Sequence, residues 1–174
     1  MQCIAQYSIS IYYLCKYTQW MGYRNNTVDE TLVEDYMTVI TLTMNFKNSV
    51  LDIAKRMVAE NISSIAITDD KKEIIGIITE RDIVKIIANE VSPGGITAGS
   101  LMSSPPVTVK NNAPIEEAAK IMAGKKVRHL LVADFSGNNI MGIITVTDLA
   151  RYLRQKSRTG DEELPASEVW EIFF

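Results

Sequence analysis

The sequence predicts an α+β fold in which two copies of one strand-helix-strand-strand-helix unit pack sheet to sheet with pseudo-twofold symmetry. Three observations predict it: a globular composition, an internal repeat, and the same order of hydrophobic periods in each copy. The chain has 174 residues, of which 47% are hydrophobic and 22% are charged. These values exclude collagen-like, wholly disordered and coiled-coil chains.

The repeat is found by aligning the chain with itself. A shift of 65 residues places Met37 on Met102, and a shift of 66 places segment 74–82 on segment 140–148 with six identities. The extra residue falls in a polar turn, where an insertion disturbs no packing. The predicted organisation is an N-terminal extension (1–32), a first domain (33–90), a linker (91–96), a second domain (97–157) and a C-terminal tail (158–174).

Each copy begins with a short extended segment, at 40–44 and 106–109, and continues with an amphipathic helical pattern. The starts of these helices carry local signals. Ser49 precedes Asp52 by three residues, which is the spacing of a capping box, and Pro114 suits the start of a helix.

Two apolar runs joined by a polar turn follow in each copy, at 62–79 and 127–145, and predict hairpins. A second amphipathic helix closes each copy. A unit of about 60 residues has little core of its own, so the two sheets are expected to bury their faces against each other. A cleft bounded by both copies follows from that packing.

Composition also excludes several functions. The net charge is −3 without a basic stripe, so we expect no nucleic-acid binding. Cys3 and Cys15 are the only cysteines and His129 is the only histidine, which argues against a disulfide framework, a metal site and a Ser-His-Asp triad. We therefore expect neither an enzyme nor a cofactor. The first twenty residues are too often interrupted by polar residues for a membrane span and lack a secretory signal, so we expect a cytoplasmic protein.

Three segments resemble a known regulatory module. Gly76-Ile77-Ile78-Thr79-Glu80-Arg81-Asp82, its counterpart Gly142–Asp148 and the strand Val127–Asp134 are similar to the CBS domain, named for cystathionine beta-synthase, and the tandem pair resembles the Bateman module. The resemblance implies a sensor that binds adenosine-containing ligands in the cleft and signals to a partner protein. It also implies a stand-alone module that forms homodimers.

The resemblance further implies two pockets, each built on a Thr-x-x-Asp element whose carboxylate holds a ribose and whose threonine faces phosphate. This chemistry is sensible, since a carboxylate accepts two donors from a diol and a helix start attracts anions. The first pocket would combine Thr145, Thr147, Asp148, Ile144 and Arg128 with Thr38, Leu42 and Ile62. The second would combine Thr79, Arg81, Asp82, Ile78 and Ser63 with Ser103, Val107 and Val127.

The first pocket has the better phosphate partner, because an arginine fork pairs with phosphate oxygens and Ser63 offers one donor. We therefore expect it to bind an adenine nucleotide first. The same Thr-x-x-Asp spacing also fits capping boxes that serve only the helices. Arg128 and His129 point to opposite faces of a strand, so one of them is expected to line the cleft. S-adenosylmethionine, a dinucleotide or no ligand at all are the alternatives to a nucleotide.

The two ends of the chain fall outside the resemblance. Residues 7–17 alternate between apolar and polar, which predicts an added strand or an extended arm; alternatively, translation starts later, at Met21 or Met37. The apolar segment 169–174 is expected to dock on the body of the protein or on a partner.

Overall fold

The structure is a computed structural model that describes residues 31–159. The predicted N-terminal arm and the apolar C-terminal segment lie outside these residues. In chain order the elements are α1 (Val33–Tyr36), β1 (Thr38–Val39), β2 (Thr43–Asn45), α2 (Val50–Glu60), β3 (Ser64–Thr68), β4 (Ile74–Thr79), α3 (Glu80–Ala88), a 3₁₀ helix (Pro93–Gly95), α4 (Ala98–Leu101), β5 (Thr108–Lys110), α5 (Ile115–Lys125), β6 (His129–Ala133), β7 (Ile140–Thr145) and α6 (Val146–Thr159).

The described strands form two sheets, one for each copy. The first has the order β2-β3-β4 and the second the order β1-β7-β6-β5. In the first sheet, β2 is parallel to β3, and β3 is antiparallel to β4. In the second sheet, β5 is parallel to β6, and β6 is antiparallel to β7. The predicted α+β class and the repeated unit are confirmed.

The core has three parts that follow from strand alternation. Ile65 and Ile67 of β3 face the helices of the first copy, as Leu130 and Val132 of β6 face those of the second. The intervening positions meet between the sheets in a third cluster, made of Ala66, Ile77 and Leu131 with Ile40, Ile74, Ile140 and Ile143 around them. The sheets therefore pack face to face, as predicted.

The local signals for the first helix are also confirmed. The Ser49 hydroxyl accepts a hydrogen bond from the Asp52 backbone N–H at 3.1 Å, which caps α2. In the second copy, Pro114 stands directly before the first helical residue of α5. Pro93 and the two following glycines, predicted as part of a linker, form the 3₁₀ helix.

The entry segment of each copy differs from the prediction. The predicted strand at 40–44 is a strand only from Thr43, in β2, and β1 precedes it at Thr38–Val39. The strand predicted at 106–109 is observed over Thr108–Lys110. The reason is that the chain first pairs with the other copy and then crosses to its own sheet. Strand β1 is antiparallel to β7, with Thr38 opposite Ile143. At the matched position, Ser103 of the second copy is bridged to Ile77 of β4.

Backbone hydrogen bonds extend this exchange on both sides. The Val33 N–H donates to the Ala113 carbonyl at 2.9 Å, and the matched Ala98 N–H donates to the Asn48 carbonyl at 2.8 Å. Two short helices that the sequence analysis missed, α1 and α4, make these bonds. Each copy is therefore completed by a segment of the other.

Gly142 and Gly76 stand where the exchanged segments cross the last strands. A Cβ on Gly142 would lie 2.6 Å from Met37 Sδ, and a Cβ on Gly76 would lie 2.6 Å from Met102 Sδ. Each methionine belongs to the opposite copy. The close approach of the two copies therefore favours glycine at both positions, since a larger residue would have to displace the methionine side chain.

We expect Gly142→Ala to lower the free energy of unfolding by about 1–3 kcal/mol, because the added methyl group overpacks the crossing against Met37 and the Thr38 carbonyl. The matched control is Gly124→Ala in α5, where a Cβ meets nothing within 4 Å. That control should raise the stability by up to about 1 kcal/mol through helix propensity. Urea denaturation measures both, and equal stabilities for the two variants would contradict the crossing argument.

Candidate functional site

Two aspartates occupy matched positions in the first turn of the last helix of each copy. Asp148 Oδ2 accepts hydrogen bonds from Thr145 N at 2.9 Å and from Thr145 Oγ1 at 2.8 Å. Asp82 Oδ2 accepts the same pair from Thr79, at 3.0 and 2.7 Å. The capping function of both Thr-x-x-Asp elements is therefore realised, and it uses one oxygen of each carboxylate.

The second carboxylate oxygens have different partners in the two copies. Asp148 Oδ1 accepts a hydrogen bond from Arg151 Nη2 at 3.0 Å, whereas Asp82 Oδ1 lies 3.6 Å from Lys85 Nζ. The Asp148 and Asp82 side chains are 11% and 17% exposed. Both carboxylates are thus held rigidly at the edge of the protein interior, each beside a cation.

A polar residue from the opposite copy lies next to each Thr-x-x-Asp strand. Exposed Thr38 pairs with Ile143, two residues before Thr145. Exposed Ser103 is bridged to Ile77, two residues before Thr79. The exchange thus brings predicted residues of the two copies together at each site.

The predicted apolar contacts lie deeper. Ile144 and Ile78 are fully buried, so an adenine would reach them only if neighbouring side chains moved. Leu42 and Ile62 are partly buried against the cluster that contains Ile78, and Val107 and Val127 against the cluster that contains Ile144. As ligand contacts, all six remain predictions.

Besides Thr38 and Ser103, four of the polar residues predicted around the pockets are exposed: Ser63, Arg81, Arg128 and Thr147. Between Arg128 and His129, it is His129 that contacts the opposite copy. Its Nε2 and the Ser63 hydroxyl share a hydrogen bond at 3.1 Å.

The His129 backbone pairs with Thr145, and its ring is close enough to both Asp82 and Asp148 to feel their charges. Burial lowers the pKa of this imidazole below its ordinary value. The charges of Arg128 and Arg81 lower the pKa further, whereas those of Asp82 and Asp148 raise it. The pKa of His129 therefore depends on charged groups from both sites.

The sequence analysis missed two residues of the Asp148 site. Arg151 follows Asp148 by three residues, a helical spacing that brings side chains together and could have been recognised. Tyr36, whose carbonyl accepts a hydrogen bond from Arg151 Nη2 at 2.8 Å, carries no such signal. Its position depends on the exchange of segments between the copies.

Two further properties hold for residues 31–159. No helix in this range is long and apolar enough to cross a membrane. Nor does the range contain a cluster of three or more histidine, cysteine, aspartate and glutamate side chains that could hold a metal ion.

The sequence profile of the CBS domain matches residues 33–89 and 98–155. The chain belongs to the CBS domain family. Among curated relatives, it is 36% identical over 115 residues to the uncharacterized protein MK0525 of Methanopyrus kandleri, covering 66% of this chain and 58% of that one. It is 31% identical over 105 residues to an uncharacterized 17.7 kDa protein of Acidianus ambivalens, covering 60% of this chain and 62% of that one. The chain thus spans less than two thirds of the length of both relatives.

Solved CBS domain structures have the same fold. The CBS domain pair of protein MJ0100, in complex with 5′-methylthioadenosine and S-adenosyl-L-methionine, matches with a TM-score of 0.66 and 27% identity, over 73% of this chain and 98% of that one. CBSX2 in complex with AMP matches with a TM-score of 0.62 and 25% identity, over 72% and 98%. A CBS domain protein of Thermoplasma acidophilum, TA0289, matches with a TM-score of 0.70 and 23% identity, over 83% and 75%.

The position of His129 predicts a pH dependence of stability. Folding lowers the pKa of His129, so the unfolded chain takes up a proton at a higher pH than the native protein does. The contribution of His129 to the stability of the native protein is therefore complete above the ordinary pKa of histidine and is lost as the pH falls through the folded pKa. We expect the melting temperature to fall more between about pH 7.5 and about pH 5.5 in the unsubstituted chain than in His129→Gln. Differential scanning calorimetry measures this, and parallel pH curves for the two proteins would contradict it.

Proposed function

We propose that the protein is a regulatory module of the cytoplasm that binds an adenine nucleotide of the AMP, ADP or ATP class between its two CBS copies and signals occupancy to a partner protein. The observation that carries this proposal is the pair of matched Thr-x-x-Asp turns. Each places a helix-capping aspartate directly after a strand that pairs with a polar residue of the opposite copy.

The chemistry of the sites supports a ligand with a ribose and a phosphate. The outer oxygen of each aspartate is an acceptor for sugar hydroxyls, and exposed Arg81 and Arg128 are available for phosphate oxygens. Neutral ligands would leave these cations without a partner. Two similar proteins were solved with AMP or with adenosyl compounds, and all of these ligands contain adenosine.

The second candidate ligand is S-adenosylmethionine, favoured by the complex of the similar MJ0100 pair. A sulfonium compound needs the aspartate but has no phosphate for Arg128, which distinguishes the two candidates. A dinucleotide remains the alternative with two phosphates. A scaffold without a ligand is the third reading, in which both aspartates serve only as caps.

The proposed signal is a population shift. The proposal requires that the two copies adopt at least two relative orientations. A ligand that touches Asp148 of one copy and Thr38 of the other then favours the orientation that it binds more tightly, by the difference between its two affinities. The entry segments that cross between the copies pair with the strands that lead into the Thr-x-x-Asp turns, so a change in the orientation of the copies would also move each site. A partner that recognises one arrangement then responds to ligand occupancy.

A thermal-shift panel of AMP, ADP, ATP, S-adenosylmethionine and NADH tests the proposal. We expect AMP, ADP or ATP to raise the melting temperature of the full chain by ligand linkage. The double variant Asp82→Asn, Asp148→Asn should lose this shift, because the asparagine oxygen retains the cap but loses the charge. The matched control is Asp52→Asn in the first turn of α2, where the Asp52 carboxylate accepts a hydrogen bond from the Ser49 hydroxyl; this variant should keep the shift.

Other outcomes of the panel are equally informative. A shift with S-adenosylmethionine alone, unchanged by Arg128→Ala, would favour the second candidate. No shift with any of the five compounds would overturn nucleotide sensing in favour of the scaffold.

We also propose that the module is a homodimer that pairs through the helices of its first copy. Val58, Val84 and Ile87 are 83%, 63% and 59% exposed and, with Leu51, form what we call the copy-one helical face. A groove of about 690 Å³ lies between α2 and α3 on this face, with Val58 and Val84 in its lining. Exposed apolar surface of this kind is typical of an interface.

The matched positions of the second copy expose less apolar surface, since all three are only partly exposed. Ala123, Ala150 and Leu153 stand at the positions that match Val58, Val84 and Ile87. The edge of the copy-one helical face carries both signs of charge, since Arg56, Lys85, Glu60 and Glu80 are all exposed there. A face with both signs is compatible with itself in a twofold contact, so the occupant we propose is a second copy of the chain.

Light scattering after gel filtration tests the dimer. The double variant Val58→Asp, Val84→Asp should have the mass of a monomer, because it places charges in the apolar contact. The control Phe135→Asp removes a comparable exposed apolar side chain from a turn of the second copy and should remain dimeric. A monomeric mass for the unsubstituted chain, or a dimeric one for the double variant, would refute the proposed interface.

A further inference from the structure

The two aspartate sites differ in the group that holds the outer carboxylate oxygen. At the second copy, Arg151 Nη2 donates a hydrogen bond to Asp148 Oδ1 at 3.0 Å. At the first copy, the matched Lys85 Nζ lies 3.6 Å from Asp82 Oδ1, which is an ion-pair distance too long for a hydrogen bond. The pseudo-symmetry therefore breaks at the atom that would receive a ribose hydroxyl.

Arg151 is also bound to the opposite copy. The same Nη2 donates to the Tyr36 carbonyl at 2.8 Å, and the guanidinium lies 5.5 Å from the centre of the Tyr36 ring. The Tyr36 hydroxyl in turn donates to Gln155 Oε1 at 2.7 Å. Arg151 therefore connects α6 of the second copy to α1 of the first.

The acceptor positions of each carboxylate can be counted. An ionised carboxylate has about four lone-pair positions, two on each oxygen. The threonine cap takes two on Oδ2 in both copies. Asp82 Oδ1 keeps two for new hydrogen bonds, whereas Asp148 Oδ1 keeps one, because Arg151 takes the other.

We propose that Arg151 selects between the two pockets: it withholds one acceptor of Asp148 from a vicinal diol, so that Asp82 is the first to receive both hydroxyls of a ribose. This inference rests on the proposed nucleotide function. The order is the reverse of the one that Arg128 favoured in the sequence. Full ribose binding at Asp148 requires Arg151 to release the carboxylate, and this release loosens a contact between the copies.

The chain itself supplies the test, since each site contains the residue that the other lacks. We exchange them as Arg151→Lys and Lys85→Arg and measure the binding of AMP and 2′-deoxy-AMP by titration calorimetry. Asp82→Asn isolates the Asp148 pocket, and Asp148→Asn isolates the Asp82 pocket. Both exchanged positions are more than half exposed, so the exchanges keep the charge and leave the core untouched.

In the Asp82→Asn chain, Arg151→Lys should raise the affinity for AMP about threefold, the range of a solvent-exposed ion pair. It should also raise the preference for AMP over 2′-deoxy-AMP, because a second hydroxyl then finds an acceptor. In the Asp148→Asn chain, Lys85→Arg should lower both the affinity for AMP and the preference for AMP over 2′-deoxy-AMP. A general effect on stability would move the affinities for the two ligands together and leave their ratio unchanged.

Failure of the inference is distinguishable from failure of the proposed function. If AMP binds the unsubstituted chain but Arg151→Lys leaves its affinity unchanged or lowers it, Arg151 does not withhold the acceptor and the inference is wrong. If AMP binds no form of the chain, nucleotide sensing itself fails. If circular dichroism shows that an asparagine variant does not fold, the Arg151→Lys and Lys85→Arg exchanges are measured in the otherwise unchanged chain. Arg151→Lys must then strengthen the weaker of two AMP sites. An unchanged affinity at that site refutes the inference.

Discussion

The reciprocal exchange of entry segments is the constraint on which both Thr-x-x-Asp sites depend. Strand β1 of the first copy completes the sheet of the second, and Ser103 of the second copy is bridged to β4 of the first. A unit of this size is only marginally stable alone, and each copy gains from the other both a buried sheet face and a partner for a sheet edge. The same crossing places Thr38 beside the strand that ends at Thr145. Stability and site geometry therefore have one origin.

Duplication preserved the backbone of this junction more strictly than its side chains. The Glu34 N–H donates to the Asn111 carbonyl at 3.0 Å, and the matched Gly99 N–H donates to the Phe46 carbonyl at 2.8 Å. Around these equivalent bonds, one side has a buried Glu34 carboxylate bound by Asn111 Nδ2 at 2.7 Å, and the other has the Phe46 ring packed against glycine. The backbone hydrogen bonds occur on both sides because buried N–H and C=O groups need partners. The space beside them is filled by Glu34 and Asn111 on one side and by Phe46 and Gly99 on the other. The two sites were thus free to diverge on a common frame.

The sequence predicts what is local or periodic. The cap of α2, the two hairpins and both Thr-x-x-Asp turns follow from spacing alone, and the structure contains each of them. The partner of a two-residue strand is a different matter. Thr38 pairs with Ile143 more than a hundred residues away, and no local pattern specifies which sheet a short apolar segment joins. Alternation likewise separates Arg128 from His129 but does not say which face meets the other copy. Only the crossing places Tyr36 over Arg151.

Capping and ligand binding were opposed interpretations of one motif, yet the geometry makes them compatible. The cap uses Oδ2 of each aspartate, and the proposed ribose contact would use Oδ1. A carboxylate that is already fixed by two hydrogen bonds loses little further freedom when it accepts a third, so the cap lowers the entropic cost of binding. The same fixation holds the charge against the interior, where it acts on nearby groups such as His129 more strongly than it would in water. A motif that stabilises the helix is for this reason well suited to recognise a diol, and what distinguishes one copy from the other is the cation placed beside it.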